Sequence, residues 1–157
     1  MRVGIGHDAH RLVPDRPLFL GGVEVLHDRG LLGHSDGDCL THAIIDALFG
    51  AACCGDIGVH FPPSDEKYRG IYSIELLKEA VKTIEEKGFE IENIDATIIA
   101  QRPKLAQYIP LMCGEIAKAC KTEKERVSVK ATTTETMGYE GREEGMSAIA
   151  VCLLRNK

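Results

Sequence analysis

A chain of 157 residues that is 44% hydrophobic and 27% charged can bury an ordinary core as one domain, which excludes a disordered protein. A formal net charge of -5, no tryptophan and 5% aromatic residues exclude a broad basic face with stacking platforms, so no nucleic-acid partner is expected. No apolar run approaches the roughly 20 residues of a membrane span, so no membrane partner is expected either.

In chain order, residues 2–6 read as a first strand ending at Gly6. Residues 18–25 (LFLGGVEV) read as a second, interrupted by Gly21-Gly22. A polar loop over 27–37 runs into HSDGD, where Ser35 suits a helix N-cap with Asp38 three residues on. Leu40, Ile44, Ala47, Leu48 and Ala51 make the apolar stripe of that helix, and Gly55 ends it. Residues 56–70 read as a loop. Ser73 caps a second helix that buries Leu76, Leu77, Ala80, Val81 and Ile84 and stops at Gly88. A strand over 94–100 follows, then a helix over 105–121 with Pro110 near its start or bending it. Strands over 127–131 and 146–154 complete the chain. The alternation predicts one α/β domain over 1–157, a two-layer sandwich with a mixed β-sheet and helices on one face.

The N-terminus enters its first strand without a basic, apolar leader, and none of the six cysteines forms a C-x-x-C pair. Free thiols packed as small core residues in a reducing cytoplasm are the expectation. With an acidic chain, any phosphate chemistry has to rest on local groups, and a metal ion would supply positive charge.

Asp8 and His10 stand two apart in an extended segment, so their side chains point the same way. With His42 on the following helix they make a three-ligand set that leaves a fourth position open. Zinc suits such mixed nitrogen and carboxylate donors, with manganese or cobalt as competitors. The alternative is a turn-capping Asp8 and a surface His10. Asp46, one helical turn after His42, is placed to accept the other ring N–H of that histidine. Otherwise Asp38, His42 and Asp46 form a solvated polar face. His34 and Ser35 sit at a helix mouth, a natural place for an anion. KATTTE, Lys130 to Glu135, gathers hydroxyl and backbone donors suited to phosphate oxygens, and Glu135 suits a second, oxygen-loving cation such as magnesium. Thr-rich strand ends also occur for backbone reasons alone. Arg142 suits phosphate or a surface ion pair equally, and AQRPK (100–104) suits a nucleobase and its phosphates or a plain strand-to-helix loop.

GIGHDAHRL, GGVEV, GLLGHSDGD, DALFGAACCGDIG, FPPSD, TIIAQRPK and VKATTTETMGYEGREEG occur in this order over essentially the whole chain. Together they resemble the 2-C-methyl-D-erythritol 2,4-cyclodiphosphate synthase family of the non-mevalonate isoprenoid pathway. HSDGD followed by KATTTE is the most specific part of the match. Pro63 departs from the acidic or polar residue common in the F-P-x-x-D loop, and Ala9 from the commoner valine.

The resemblance implies a CMP-forming phosphorus–oxygen lyase. Its substrate would be 4-diphosphocytidyl-2-C-methyl-D-erythritol 2-phosphate, and the 2-phosphate would attack the β-phosphate. Asp8, His10 and His42 would bind zinc, and Glu135 a second ion, Mg2+ or Mn2+, on the diphosphate. His34 and Thr133 would stabilise the transition state. His34 and Ser35, Asp56, Ile57 and Gly58, and Phe61, Pro62, Pro63, Ser64 and Asp65 would surround the methylerythritol phosphate, with Asp8 and His10 also touching substrate. Ala100, Gln101, Arg102, Pro103 and Lys104, with Leu105 and Ala106, would embrace the cytidine diphosphate together with Thr132, Thr133, Thr134 and Glu135. Tyr139 and Arg142 would lie nearby. Family members are homotrimers with sites between subunits. The rivals are a zinc-dependent phosphohydrolase on a nucleotide-diphosphate substrate, with Asp46 or Asp56 as base, and a non-catalytic nucleotide-binding module.

Overall fold

The computed structural model describes residues 1–157. In chain order it contains β1 (Arg2–Pro14), β2 (Leu18–Leu20), β3 (Val23–Val25), β4 (Arg29–Leu31), α1 (Cys39–Ala51) and α2 (Ile57–His60). Then come α3 (Ser73–Glu86), β5 (Phe89–Ile99), α4 (Ile109–Ala119), β6 (Val127–Thr132), α5 (Gly138–Gly141) and β7 (Gly145–Asn156). The main sheet has the order β4-β1-β7-β5-β6. It is antiparallel except for the β5–β6 pair, so it is mixed, as expected.

From Ala148 to Leu154, β7 alternates buried and outward-facing side chains. In β7, Met146, Ala148, Ala150, Cys152 and Leu154 are buried, while Ile149 and Val151 stay 40% and 39% exposed. The buried face carries α1, α3 and α4 over one contiguous core. The opposite face is bare, and the register brings Ile5 beside Val151 and Val3 beside Leu153 on it. Val3 and Ile5 are 70% and 69% exposed there.

Two glycines decide how close the layers come. A Cβ on Gly4 would stand 2.0 Å from the Ala47 carbonyl oxygen, and one on Gly6 2.0 Å from that of Ala43. Only bare backbone lets β1 lie against α1, where burial of Ala43, Ala47 and their neighbours leaves no space. This is also why the first strand does not end at Gly6. It runs on to Pro14 and carries Asp8 and His10 past the start of α1.

Other boundaries also move. Residues 18–25 divide into a hairpin because Gly21 and Gly22 take φ of 61° and 74°. The N-cap of α1 is Asp38, not Ser35: its carboxylate accepts Thr41 N–H at 2.9 Å and Thr41 Oγ1–H at 2.7 Å. It also accepts the N–H groups of Gly21 at 2.9 Å and Gly22 at 2.8 Å, so one buried side chain ties the hairpin to the helix. Burial, and then the neighbouring Asp36, push its carboxyl upward, against these four bonds. Ser73 is the first residue of α3 rather than its cap. The third helix starts at Ile109, with Pro110 in its first turn where no N–H is needed, because 105–108 forms a separate turn.

Candidate active site

Asp8 and His10 leave β1 on the same side, as the i, i+2 spacing predicts, and His42 meets them from the first turn of α1. Asp8 Oδ2 lies 2.7 Å from His10 Nε2 and 3.0 Å from His42 Nδ1, and the two ring nitrogens are 3.2 Å apart. Three atoms with lone pairs thus form a triangle with edges of about 3 Å. A tetrahedral ion with legs of about 2.0–2.1 Å needs edges of about 3.3 Å, so the donor set fits such an ion with a small expansion.

Hydrogen bonds behind the rings aim those lone pairs. His10 Nδ1 is 2.7 Å from the Leu32 carbonyl, which can only accept, so Nδ1 carries the proton and Nε2 faces inward. Burial alone would raise the Asp8 carboxyl, but hydrogen bonds and charge from His10 and His42 outweigh it and hold the group at about 2 against an ordinary 3.8. Burial likewise pulls His10 down, and its bond to Asp8 more than restores it, so the net direction is upward. The histidine and carboxylate crowd around a position that attracts positive charge.

The expected Asp46–His42 contact does not form. Asp46 Oδ1 accepts the Ile57 N–H at 2.8 Å and anchors α2. His42 Nε2 instead faces Ser73 Oγ at 2.8 Å and Ser35 Oγ at 3.2 Å. Helical spacing put Asp46 on the right stripe, but the carboxylate has a nearer, unpaired backbone donor. Sequence reasoning missed Ser73 and Asp36, which come to His42 from separate segments. Only the polar character of HSDGD hinted at Asp36.

One cavity holds Asp8, His10 and His42 together with His34, Ser35, Ile57, Gly58, Phe61 and Pro63; Tyr68 and Leu76, not anticipated, complete its wall. Asp56 is not on that wall. It caps α2 by accepting the Val59 N–H at 3.0 Å, and so sets the turn that presents Ile57 and Gly58. Asp65 similarly accepts the Lys67 N–H at 3.1 Å beyond Pro62 and Ser64. A helix was not expected at Ile57–His60; the two aspartate anchors explain it.

A second cavity takes Ala100, Gln101, Pro103, Lys104, Leu105, Ala106, Thr132 and Thr133, with Ile109 and Ala131. It shares no residue with the first. Arg102 points elsewhere: its guanidinium bonds Glu143 at 2.9 and 3.0 Å, and Glu143 also holds Arg29 at 2.7 Å. Thr133 Oγ1 accepts the Glu135 N–H at 3.2 Å, and Thr134 donates to the Met137 carbonyl. Glu135 and Thr136 take φ of 54° and 65°, which is costly for a β-branched residue. The Thr136 N–H donates to Gln101 Oε1 at 3.1 Å, and a Cβ on Gly141 would stand 2.2 Å from the Thr136 carbonyl carbon. Glycine in GYEGREEG therefore lets that segment brace the bend after the threonines. Tyr139 borders a shallow cleft beside His10, whereas Arg142 pairs with Glu144 at 2.8 Å. A third cleft, between Glu85, Glu90, Lys121, Arg126 and Arg155, is lined by side chains already paired with one another or with Glu92.

The YgbB family model matches residues 1–155. The chain is 59% identical over 156 residues to the 2-C-methyl-D-erythritol 2,4-cyclodiphosphate synthase of Desulfitobacterium hafniense, covering 99% of both chains. It superposes on the bifunctional IspDF of Campylobacter jejuni with a TM-score of 0.96 and 43% identity, covering 99% of this chain and 42% of that one. A 2C-methyl-D-erythritol-2,4-cyclodiphosphate synthase in a CDP-bound form aligns with a TM-score of 0.90 and 34% identity, over 98% of this chain and all of the other. The two structural alignments take in 98–99% of this chain. The chain therefore belongs to the YgbB family of 2-C-methyl-D-erythritol 2,4-cyclodiphosphate synthases, phosphorus–oxygen lyases of isoprenoid synthesis.

Proposed function

We propose that residues 1–157 are a single catalytic domain that closes 4-diphosphocytidyl-2-C-methyl-D-erythritol 2-phosphate into 2-C-methyl-D-erythritol 2,4-cyclodiphosphate and releases CMP. The observation that carries this is the convergence of Asp8, His10 and His42 in one cavity with His34 and Ser35. That donor set suits zinc, and Glu135 suits magnesium or manganese; ions held there would supply positive charge against the diphosphate.

The chain's own residues do the rest. Ser35 and the exposed His34 donate hydrogen bonds to the methylerythritol end of the substrate, while Ile57, Gly58, Phe61 and Pro63 shape the pocket around it. Thr132 and Thr133 offer hydroxyls to the diphosphate, and the 100–106 segment cradles the cytidine. The substrate brings its own nucleophile, so no side chain has to make or break a bond covalently. Catalysis then consists of bending the substrate until the 2-phosphate reaches the β-phosphate, and of donating to oxygens that gain charge. His34 and Thr133 are the donors assigned to that charge. Asp46 and Asp56, the two candidate bases for simple hydrolysis, already accept backbone N–H groups and stand outside the metal cavity.

The working unit is a homotrimer whose sites combine the metal cavity of one subunit with the nucleotide cavity of the next. Two observations support it. The cavities share no residue within one chain. The bare sheet face also exposes Val3, Ile5, Ile149 and Val151 together, a patch suited to another copy. The enzyme is assigned to the cytoplasm on its resemblance and its free thiols; separately, no helix is long and apolar enough to cross a membrane.

Incubation with substrate, followed by phosphorus NMR, tests the reaction. CMP with a cyclic product is expected, and CMP with only linear products would refute it. Mixing His42→Ala subunits with Thr133→Ala subunits tests the shared site. Exchanged trimers recover activity if each site takes one set from each neighbour, and stay inactive if both sets work within one chain.

A further inference from the structure

We propose that Ser73 and Asp36 are positioning residues for the metal ligand His42, a hydrogen-bonded line that commits the imidazole to the tautomer whose Nδ1 lone pair faces Asp8 and His10. The proposal rests on the metal reading above and extends it to two residues on other segments. The direction of each bond follows from counting protons. Asp36 is nearly buried and Ser73 fully so. Asp36 Oδ2 accepts the Ser73 N–H at 2.9 Å, and Asp36 Oδ1 contacts both Ser73 Oγ and the Asp38 N–H, the latter at 3.1 Å. A carboxylate has only lone pairs, so the single hydroxyl proton of Ser73 is donated to Asp36. Ser73 Oγ is then left as an acceptor toward His42 Nε2, 2.8 Å away. His42 Nε2 is then the donor toward Ser73, and in the neutral ring Nδ1, 3.0 Å from Asp8 Oδ2, keeps the lone pair that a cation would take.

Ser35 is the other hydroxyl near this nitrogen. It is farther, at 3.2 Å, and sits 3.3 Å from Ser73 Oγ and 3.4 Å from the Gly37 nitrogen, with no carboxylate to fix its proton. The line through Ser73 is therefore the one with a defined direction. It also couples the site to the loop that brings His34 and Ser35, because that loop is laced to the start of α3: the Gly70 N–H donates to the His34 carbonyl and the Asp36 N–H to that of Ile71. A merely structural alternative is that Asp36 caps α3 and the approach of Ser73 to His42 is incidental.

Two measurements separate these. Nitrogen-15 NMR of the metal-free wild-type protein reads the tautomer directly. The expected result is a proton on His42 Nε2, whether or not Asp8 also holds one on Nδ1; a bare Nε2 with the only ring proton on Nδ1 would overturn the proposal without any variant. Zinc affinity at fixed pH, by competition with a chromophoric chelator, is then compared among wild type, Ser73→Ala, Asp36→Asn and Ser35→Ala. Ser73→Ala is expected to weaken zinc about 10- to 100-fold, with Asp36→Asn close behind, and to leave the His42 ring without tautomer preference. Ser35→Ala should change affinity less than either. Unchanged zinc affinity and ring shifts in Ser73→Ala, or a loss confined to Ser35→Ala, would overturn it. If wild type and His42→Ala bind zinc alike, the metal reading itself falls, and that outcome is distinct from the others.

Discussion

The two halves of the site are built in opposite ways. The metal half is set by cross-segment bonds: the buried ones of Asp38 across the hairpin and Asp36 on α3, and that of the Leu32 carbonyl behind His10. The nucleotide half stands on exposed threonines after β6, held by a bend at Glu135 and Thr136 and by one side-chain amide. The first half is tied by its own bonds before substrate arrives. The second presents its donors at an open surface, where the proposed function seats a cytidine diphosphate and a neighbouring subunit. On the proposed function, preorganisation would be concentrated where charge must be stabilised, and the binding of the leaving nucleotide left to a more open surface.

The largest expected effect comes from breaking the metal half at its centre. His42→Ala should lower turnover by at least about 1,000-fold, by analogy with the loss of a central electrostatic element, while circular dichroism stays native. A variant that keeps more than a tenth of the activity would remove His42 from the machinery. Gly6→Ala attacks the same half through the backbone. Its Cβ would meet the Ala43 carbonyl oxygen at 2.0 Å, so β1 and α1 must separate. A destabilisation of about 2–4 kcal/mol in urea unfolding is expected, together with loss of zinc binding. Wild-type stability in this variant would mean that α1 does not rest on bare strand backbone.

That contrast also marks what the sequence could and could not reveal. Asp8 and His10 were readable because strand geometry relates neighbours two apart, and the core stripes of α1 and α3 because helices repeat locally. HSDGD and KATTTE identified the family as whole strings. The partners of His42 were not readable. Ser73 is 31 residues away and Asp36 reaches it across two segments, so no local period connects them. Asp46 had the right period and the wrong neighbour. The extension of β1 beyond Gly6 was hidden for a related reason, since glycine usually interrupts a strand and here serves the contact between layers. That Glu143, far along the chain, pairs with the Arg102 guanidinium was likewise beyond any local pattern.

The open half is tested by Thr133→Ala. A hydroxyl that meets the phosphates as charge develops should affect turnover more than ground-state binding. A fall of about 10- to 100-fold in kcat is expected, with CMP affinity changed by less than about threefold. Equal losses in both would make Thr133 a binding residue only.

The pH response should separate the halves again. With its pKa depressed to about 2, Asp8 contributes stability to the metal-free protein above 3.8, and that stability is lost as pH falls toward 2. His10, raised above 6.5, contributes stability that is complete below 6.5 and disappears as pH rises through its folded value. The metal-free triad is thus at its most stabilising between 3.8 and 6.5, by about 2 kcal/mol for the Asp8 part, and Asp8→Asn should abolish the acid limb of that profile. Zinc needs the opposite state, with His10 deprotonated. Its affinity should fall by about tenfold per pH unit below the His10 value, as one proton is displaced. Affinity that is flat from pH 8 to pH 5 would exclude His10 as a ligand.

The smallest effect expected is also the sharpest discriminator within the metal half. Asp46 stands one helical turn from His42, where a carboxylate supporting the ligand would be looked for, yet it spends its oxygen on the Ile57 N–H at 2.8 Å. Asparagine keeps a carbonyl oxygen of the same reach. Asp46→Asn should therefore preserve the anchor of α2, with stability within about 0.5 kcal/mol and zinc affinity within about threefold of wild type. Were Asp46 instead the acceptor behind His42, the same substitution would remove a charged partner and cost about 10- to 100-fold in zinc affinity. Asp46→Ala adds the control. It removes the acceptor, releases Ile57 from the cavity wall, and should raise KM for substrate while leaving zinc affinity close to that of Asp46→Asn. A loss of zinc in both variants would return Asp46 to His42; a rise in KM in Asp46→Ala alone keeps it with the pocket wall, and leaves Ser73 and Asp36 as the support of the ligand.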